Sequence, residues 1–169
     1  MGKILKGSDQ VAKAFKVAST AHRHSFFDDS TPKMVHVARV FMLCPPYDYT
    51  CQTVALLHDT IESGNVTAKD LIEAGFDLKI VKAVVTLSKS KGETYDTYIQ
   101  RIIDSDDELT INTKIRDLYD KLMHVSTRNV PLDDDRLADL VRYQAIWLKL
   151  SMLAEEKGWV ESADDVAKE

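Results

Sequence analysis

Cysteine, proline and glycine are all scarce in this 169-residue chain, at two, four and six copies. Two cysteines, Cys44 and Cys51, are too few for a disulfide framework and read as reduced packing residues of a cytoplasmic protein. The shortage of prolines and glycines leaves most of the chain free to run at helical period. No apolar run approaches the ~20 residues needed to span a bilayer, so no membrane partner is expected. The opening Met1-Gly2-Lys3-Ile4-Leu5-Lys6 lacks the apolar core of a signal peptide, and no Ser or Thr follows Gly2 at the myristoylation position. An excess of positive charge is also missing. A net charge of -5 argues against a broad nucleic-acid footprint and leaves room only for a local basic patch.

What remains is an ordinary soluble balance, 44% hydrophobic and 29% charged residues. The length suits one domain, expected over residues 1–160, with a polar tail at 161–169. Ser8-Asp9 reads as a cap before Val11, Ala14, Phe15 and Ala18, and Thr31-Pro32 as the start of a second helix ending before Cys44-Pro45-Pro46. Asp48 or Thr50 can cap a third helix, expected to run through His58-Asp59 to about Ser63-Gly64. Ala68 to Ala74 makes a short helix stopped by Gly75. Further stripes follow on Leu78–Leu87, on Tyr95–Ile103, on Ile111, Ile115, Leu118 and Leu122, and on a long C-terminal segment from Leu137 to Leu153. Trp147 reads as core within that last stripe, and the run Asp133-Asp134-Asp135 as its solvated cap. No strand alternation persists. The expected fold is all-α, a compact bundle of about seven to nine helices.

Three of these helices carry metal-capable groups where periodicity predicts core: His36, then His58-Asp59, then Asp117. Buried imidazoles and carboxylates are costly unless paired or bound to metal. Two of each suit one divalent ion, Mn, Fe, Co or Zn, in a mixed nitrogen and oxygen site open to water and a substrate oxygen. Taken singly, a lone His on an apolar face is more often a satisfied core residue; the combination carries the reading. Glu62 lies four residues after His58, placed to orient or deprotonate a water. Lys114, Asp117, Lys121 and His124 fall on one helix face, so two ammonium groups flank the last carboxylate and suit a polyphosphate. Lys89, Lys91 and Arg101 form a second candidate phosphate-binding set. Tyr98 with Tyr95 reads equally as core or as base-stacking, and His22 as a group at the site mouth or a structural cap.

The order His, His-Asp, Asp on helices resembles that of the HD-domain metal-dependent phosphohydrolases. The wording Ala21-His22, Pro32, His36-Val37-Ala38, Ala55-Leu56-Leu57-His58-Asp59-Thr60-Ile61-Glu62 and Val66-Thr67 is closest to the RelA/SpoT type, including the small alarmone hydrolases. Thr113-Lys114-Ile115-Arg116-Asp117 resembles that family's Lys-Leu-Ala-Asp segment. The resemblance spans roughly residues 8–150. It implies an HD-domain bundle in which His36, His58, Asp59 and Asp117 hold one ion, most often manganese, with Glu62 and Asp59 catalytic. The implied reaction is removal of the 3′-pyrophosphate of (p)ppGpp. Three positions depart from the pattern: Ser63 replaces the second carboxylate after Glu62, Phe27-Asp28 stands where a basic pair contacts the nucleotide, and Lys121 replaces an asparagine. Two rival expectations follow: a nucleotidase or deoxynucleoside triphosphohydrolase with the same metal core, or a catalytically silent HD module that binds a nucleotide or a partner protein. The sequence specifies no oligomeric state.

Overall fold

The computed structural model describes residues 6–27, 30–63, 66–125 and 133–159. Among the described residues there are eight α-helices: α1 Gly7–Ala21, α2 Lys33–Met42, α3 Tyr49–Leu57, α4 Ala68–Glu73, α5 Leu78–Leu87, α6 Tyr95–Asp104, α7 Glu108–Val125 and α8 Asp134–Glu156. Among the described residues the one β-type pairing is an isolated bridge between Phe26 and Pro32. The all-α expectation and its helix count hold. The expected helix stop at Gly64, Asp28, the loop around Pro131 and the tail at 161–169 lie outside the described residues.

Helix α3 is the axis of the bundle. Val54, Ala55, Leu56 and Leu57 are consecutive and fully buried, so the helix is enclosed on every side rather than on one stripe. It packs against α1, α2, α5 and α7. Helix α1 meets the core through Ala14 and Ala18, α2 through Val37, α5 through Ile80 and Val84, α7 through Ile111 and Leu118, and α8 through Leu150 and Ala154. Complete burial of a Leu such as Leu56 or Leu57 stabilises the fold by about 1.5–3 kcal/mol over leaving it exposed. Helix α3 therefore anchors whatever its C-terminal end presents.

Several helix ends differ from expectation. Asp48 does cap α3, accepting from Cys51 N at 2.9 Å, and Asp133 caps α8 by accepting from Arg136 N. Ser8-Asp9 instead lie inside the first turn of α1, whose cap Lys6 makes no side-chain bond, and α2 starts one residue after Pro32 without a side-chain cap. Gly75, at φ 89°, follows α4 in a conformation that disfavours a Cβ. Helix α3 stops at Leu57, and residues 58–63 are turns. Side chain and backbone share the acceptors there: Leu57 O receives Thr60 Oγ1 at 2.7 Å and Thr60 N at 3.0 Å, and Asp59 O receives Ser63 Oγ at 2.9 Å and Ser63 N at 3.1 Å.

Two further corrections concern packing. Cys44 and Cys51 are not free thiols but paired as a disulfide that ties the end of α2 to the start of α3. Pro45-Pro46 and Tyr47, at φ 70°, turn the chain sharply enough to bring the two together. On α8, Leu137, Val141 and Leu148 of the expected buried stripe face solvent. The buried contacts of this helix come from Leu150 and Ala154, with Trp147 half-buried against Tyr119 of α7.

Candidate metal centre

Helices α2 and α7 and the end of α3 bring His36, His58 and Asp117 together. One ligand atom from each lies within 4.8 Å of the other two, and all three side chains are buried. His36 Nε2 is 3.1 Å from Asp117 Oδ1, and His58 Nε2 is 3.9 Å from the same oxygen. The imidazole rings meet edge to face with centroids 5.3 Å apart.

The far nitrogens decide the protons on these rings. His58 Nδ1 lies 2.7 Å from Ala55 O, which can only accept, so the proton sits on Nδ1 and Nε2 keeps its lone pair. His36 Nδ1 lies 2.6 Å from Asp120 Oδ2 and donates to it. Asp120 is itself held by Arg39, whose Nε reaches Oδ1 at 2.6 Å and whose Nη2 reaches Oδ2 at 3.0 Å. A carboxylate behind an imidazole fixes its orientation and raises its basicity. His36 Nε2 and His58 Nε2 are buried with no hydrogen-bond partner, and the buried Asp117 Oδ1 has the Lys121 ammonium 2.8 Å away. Acceptors do not face one another across 3.1 Å without a proton or a cation between them. The donor set therefore fits a divalent ion of nitrogen and oxygen preference.

Electrostatics follow the same geometry. Burial alone would push the His36 imidazole down, yet the flanking Asp117 and Asp120 outweigh it and raise its titration above the ordinary range. Burial opposes ionisation of Asp117, but Lys114, Lys121 and His36 hold its carboxyl well below the usual carboxylate range. Asp59 follows His58 directly, with Oδ1 3.3 Å from His58 Nε2. It too resists its burial and, through His58 and Lys121, is drawn down to about 2.

Two lysines converge on Asp117. Lys114 Nζ donates to Oδ2 at 2.7 Å; Lys121 Nζ donates to Oδ2 at 3.0 Å and stands 2.8 Å from Oδ1. Lys114 is buried against the rings of Tyr95 and Tyr98, at 5.8 and 5.1 Å, and Lys121 lies 5.8 Å from the ring of Tyr143. The Tyr95 hydroxyl is buried without a hydrogen-bond partner. That of Tyr98 donates to Leu87 O at 2.5 Å, and burial pushes it up to about 12.

The other sequence-selected residues stand outside the cluster of three. Glu62 is exposed in the turn after His58, and its Oε2 accepts from Lys89 N at 3.1 Å. Arg101 grips the 88–94 loop, donating to both oxygens of Glu93 at 2.9 Å, to Thr86 O at 2.8 Å and to Ser88 O at 3.1 Å. Its guanidinium, expected to contact phosphate, is thus engaged by this loop. Lys89 and Lys91 sit on that loop, Lys91 exposed. His22 is buried with Nδ1 3.2 Å from Ser63 Oγ, and its Nε2 has no partner. Burial lowers its titration. Sequence reasoning missed Asp120 and Arg39. Their signal was periodic: Asp120 follows Asp117, and Arg39 follows His36, by three residues on the same helix face.

No family model and no curated protein matches the chain. Among solved structures it is similar to one described as a metazoan ortholog of SpoT that hydrolyses ppGpp and plays a role in starvation responses. The TM-score is 0.68 at 17% identity, over 89% of this chain and 97% of that one. The likeness establishes the fold alone: an all-α bundle like that of the matched structure.

Proposed function

We propose that this chain, one HD-type domain over residues 1–160, is a metal-dependent phosphohydrolase acting on a nucleotide, with the 3′-pyrophosphate of (p)ppGpp as its leading substrate. The observation that carries the reading is the gathering of three buried ligand-capable atoms within 4.8 Å of one another. His36, His58 and Asp117 would hold one divalent ion, Mn ahead of Co, Fe or Zn, with Asp59 as the fourth ligand at the end of α3. Held there, the ion supplies Lewis acidity toward a phosphoryl group and acidifies water. Asp120 and Ala55 O keep both imidazoles turned with their lone pairs inward. Glu62, in the exposed turn beside Asp59, takes the proton of the attacking water. Lys114 and Lys121 supply fixed positive charge for the phosphates. Lys89 and Lys91, with His22 and Tyr98, border the nucleotide. A solved structure of the same fold belongs to a ppGpp hydrolase, which supports the choice of substrate.

A second reading, a nucleotide-binding module without turnover, is favoured by two observations: Lys121 already neutralises Asp117, and Glu62 engages Lys89 N. Turnover separates the two. Chelator-treated protein reloaded with Mn and offered ppGpp, nucleoside monophosphates and deoxynucleoside triphosphates should release pyrophosphate from ppGpp. Phosphate from monophosphates, or triphosphate from deoxynucleotides, would replace the substrate and keep the reaction class. Metal binding without any turnover would select the silent module. Asp59→Ala should lose both metal and turnover. No helix of the described residues is long and apolar enough to cross a membrane, and a cytoplasmic site of action fits a nucleotide substrate.

A further inference from the structure

The charges around Asp117 are already balanced. Three carboxylates, Asp59, Asp117 and Asp120, face three fixed cations, Lys114, Lys121 and Arg39, with ion-pair contacts of 2.7 Å for Lys114 to Asp117, 2.8 Å for Lys121 to Asp117 and 2.6 Å for Arg39 to Asp120. Glu62 stands outside this set of ion pairs, its carboxylate accepting from the backbone of Lys89. A divalent ion placed among His36, His58 and Asp117 would give a largely buried group two positive charges with no matching anion. It would also share Asp117 Oδ1 with an ammonium 2.8 Å away. Excess charge out of water is costly, so a balanced site of this kind holds a cation weakly until an anion arrives.

The two lysines are not equivalent. Lys114 is 4% exposed and enclosed by Tyr95 and Tyr98, so it stays on Asp117. The Lys121 side chain is 24% exposed on a flexible stem and can turn from Asp117 to an incoming ligand. Beside Lys114, the unpartnered Tyr95 hydroxyl is a donor of the kind a phosphate oxygen would take.

We propose that Lys121 is a tethered cation that shares Asp117 with the divalent ion, so that the ion binds weakly alone and tightly together with a phosphate oxyanion. The linkage is reciprocal: the ion tightens phosphate as much as phosphate tightens the ion. The inference rests on the metal-dependent reading and assigns that site an order of loading. Metal retained without substrate is low, and the polyanion completes the centre.

The test is Mn binding to the full chain, followed by the loss of the free-Mn paramagnetic resonance signal, with and without inorganic phosphate. The titrations are corrected for the complex that phosphate itself forms with Mn. Phosphate should tighten Mn about tenfold in the wild type. Lys121→Gln should bind Mn about tenfold tighter than wild type without phosphate and gain little from its addition. Lys121→Arg, which keeps the charge, should behave as the wild type does and controls for folding, as does the thermal transition of each variant. Mn affinity that is unchanged or weaker in Lys121→Gln, or indifferent to phosphate in the wild type, overturns the proposal while leaving the metal site standing. No Mn binding by any of the three proteins, with or without phosphate, overturns the metal-dependent reading and this inference with it.

Discussion

Asp120→Ala removes the carboxylate that joins α2 to α7 behind the cluster. The side chain is 2% exposed and receives His36 Nδ1 at 2.6 Å and Arg39 through two nitrogens at 2.6 and 3.0 Å. Its loss strands an imidazole N–H in the interior and leaves a guanidinium without a counter-charge. Removing one member of a buried ion pair costs about 3–5 kcal/mol. The Arg39 side chain is 27% exposed, so water recovers part of its solvation, and the loss falls at the low end, about 3 kcal/mol. For a chain of this length each kcal/mol moves Tm by about 2–4 °C, so Tm should drop by about 6–12 °C. The same deletion frees the His36 ring, and loss of a partner behind a ligand lowers metal affinity about 10–100-fold. Circular dichroism on chelated protein reads the first effect, and calorimetric titration with Mn the second. Asp120→Asn keeps an acceptor for His36 and should show a smaller loss in both. A Tm for Asp120→Ala within about 2 °C of wild type, with Mn affinity also unchanged, would refute the role given to this carboxylate.

Three other outcomes are expected. Tyr98→Phe removes the bond to Leu87 O and should cost about 1–2 kcal/mol in urea unfolding with little change in Mn affinity; a loss of Mn binding would place the hydroxyl in the site instead. Glu93, held by Arg101, titrates at about 2 rather than 4.5. Because its folded-state value is depressed, the stability that this pair contributes is present above about 4.5 and disappears as pH falls toward about 2. The Tm gap between wild type and Glu93→Gln should therefore close over that interval, and a gap of constant size at the acid end would deny the ion pair. Glu62→Gln should abolish turnover and retain Mn; near-wild-type kcat would remove Glu62 from proton transfer.

Much of the fold was legible because it is local. Apolar stripes at helical spacing located the helices, and caps such as Asp48 and Asp133 act within three residues of their own position. What escaped was decided at a distance or by competition. His36 and Asp120 are 84 residues apart, and the periodicity that puts Asp120 on the face of Asp117 does not name His36 as its partner. The end of α3 was hidden because apolar residues run on through Ile61, while the hydroxyls of Thr60 and Ser63 join their own backbone N–H groups on the carbonyls of Leu57 and Asp59. Such back-bonding occurs inside helices as well as at their ends, so the residue types alone do not distinguish the outcomes. The exposed Leu137, Val141 and Leu148 of α8 show the limit of periodicity: a stripe marks a helix face without naming what covers it.

The end of α3 also places two adjacent polar residues side by side. Within a continuing helix, His58 and Asp59 would point about 100° apart. At the helix end, His58 is the cap residue, its ring is pinned to Ala55 O, and Asp59 is free in a turn to bring its Oδ1 to 3.3 Å from His58 Nε2. The carbonyl end of a helix carries partial negative charge and favours a cation. The preceding four residues are wholly buried, so that end is held as firmly as any point in the bundle. The apolar run is thus the rigid support for the polar pair.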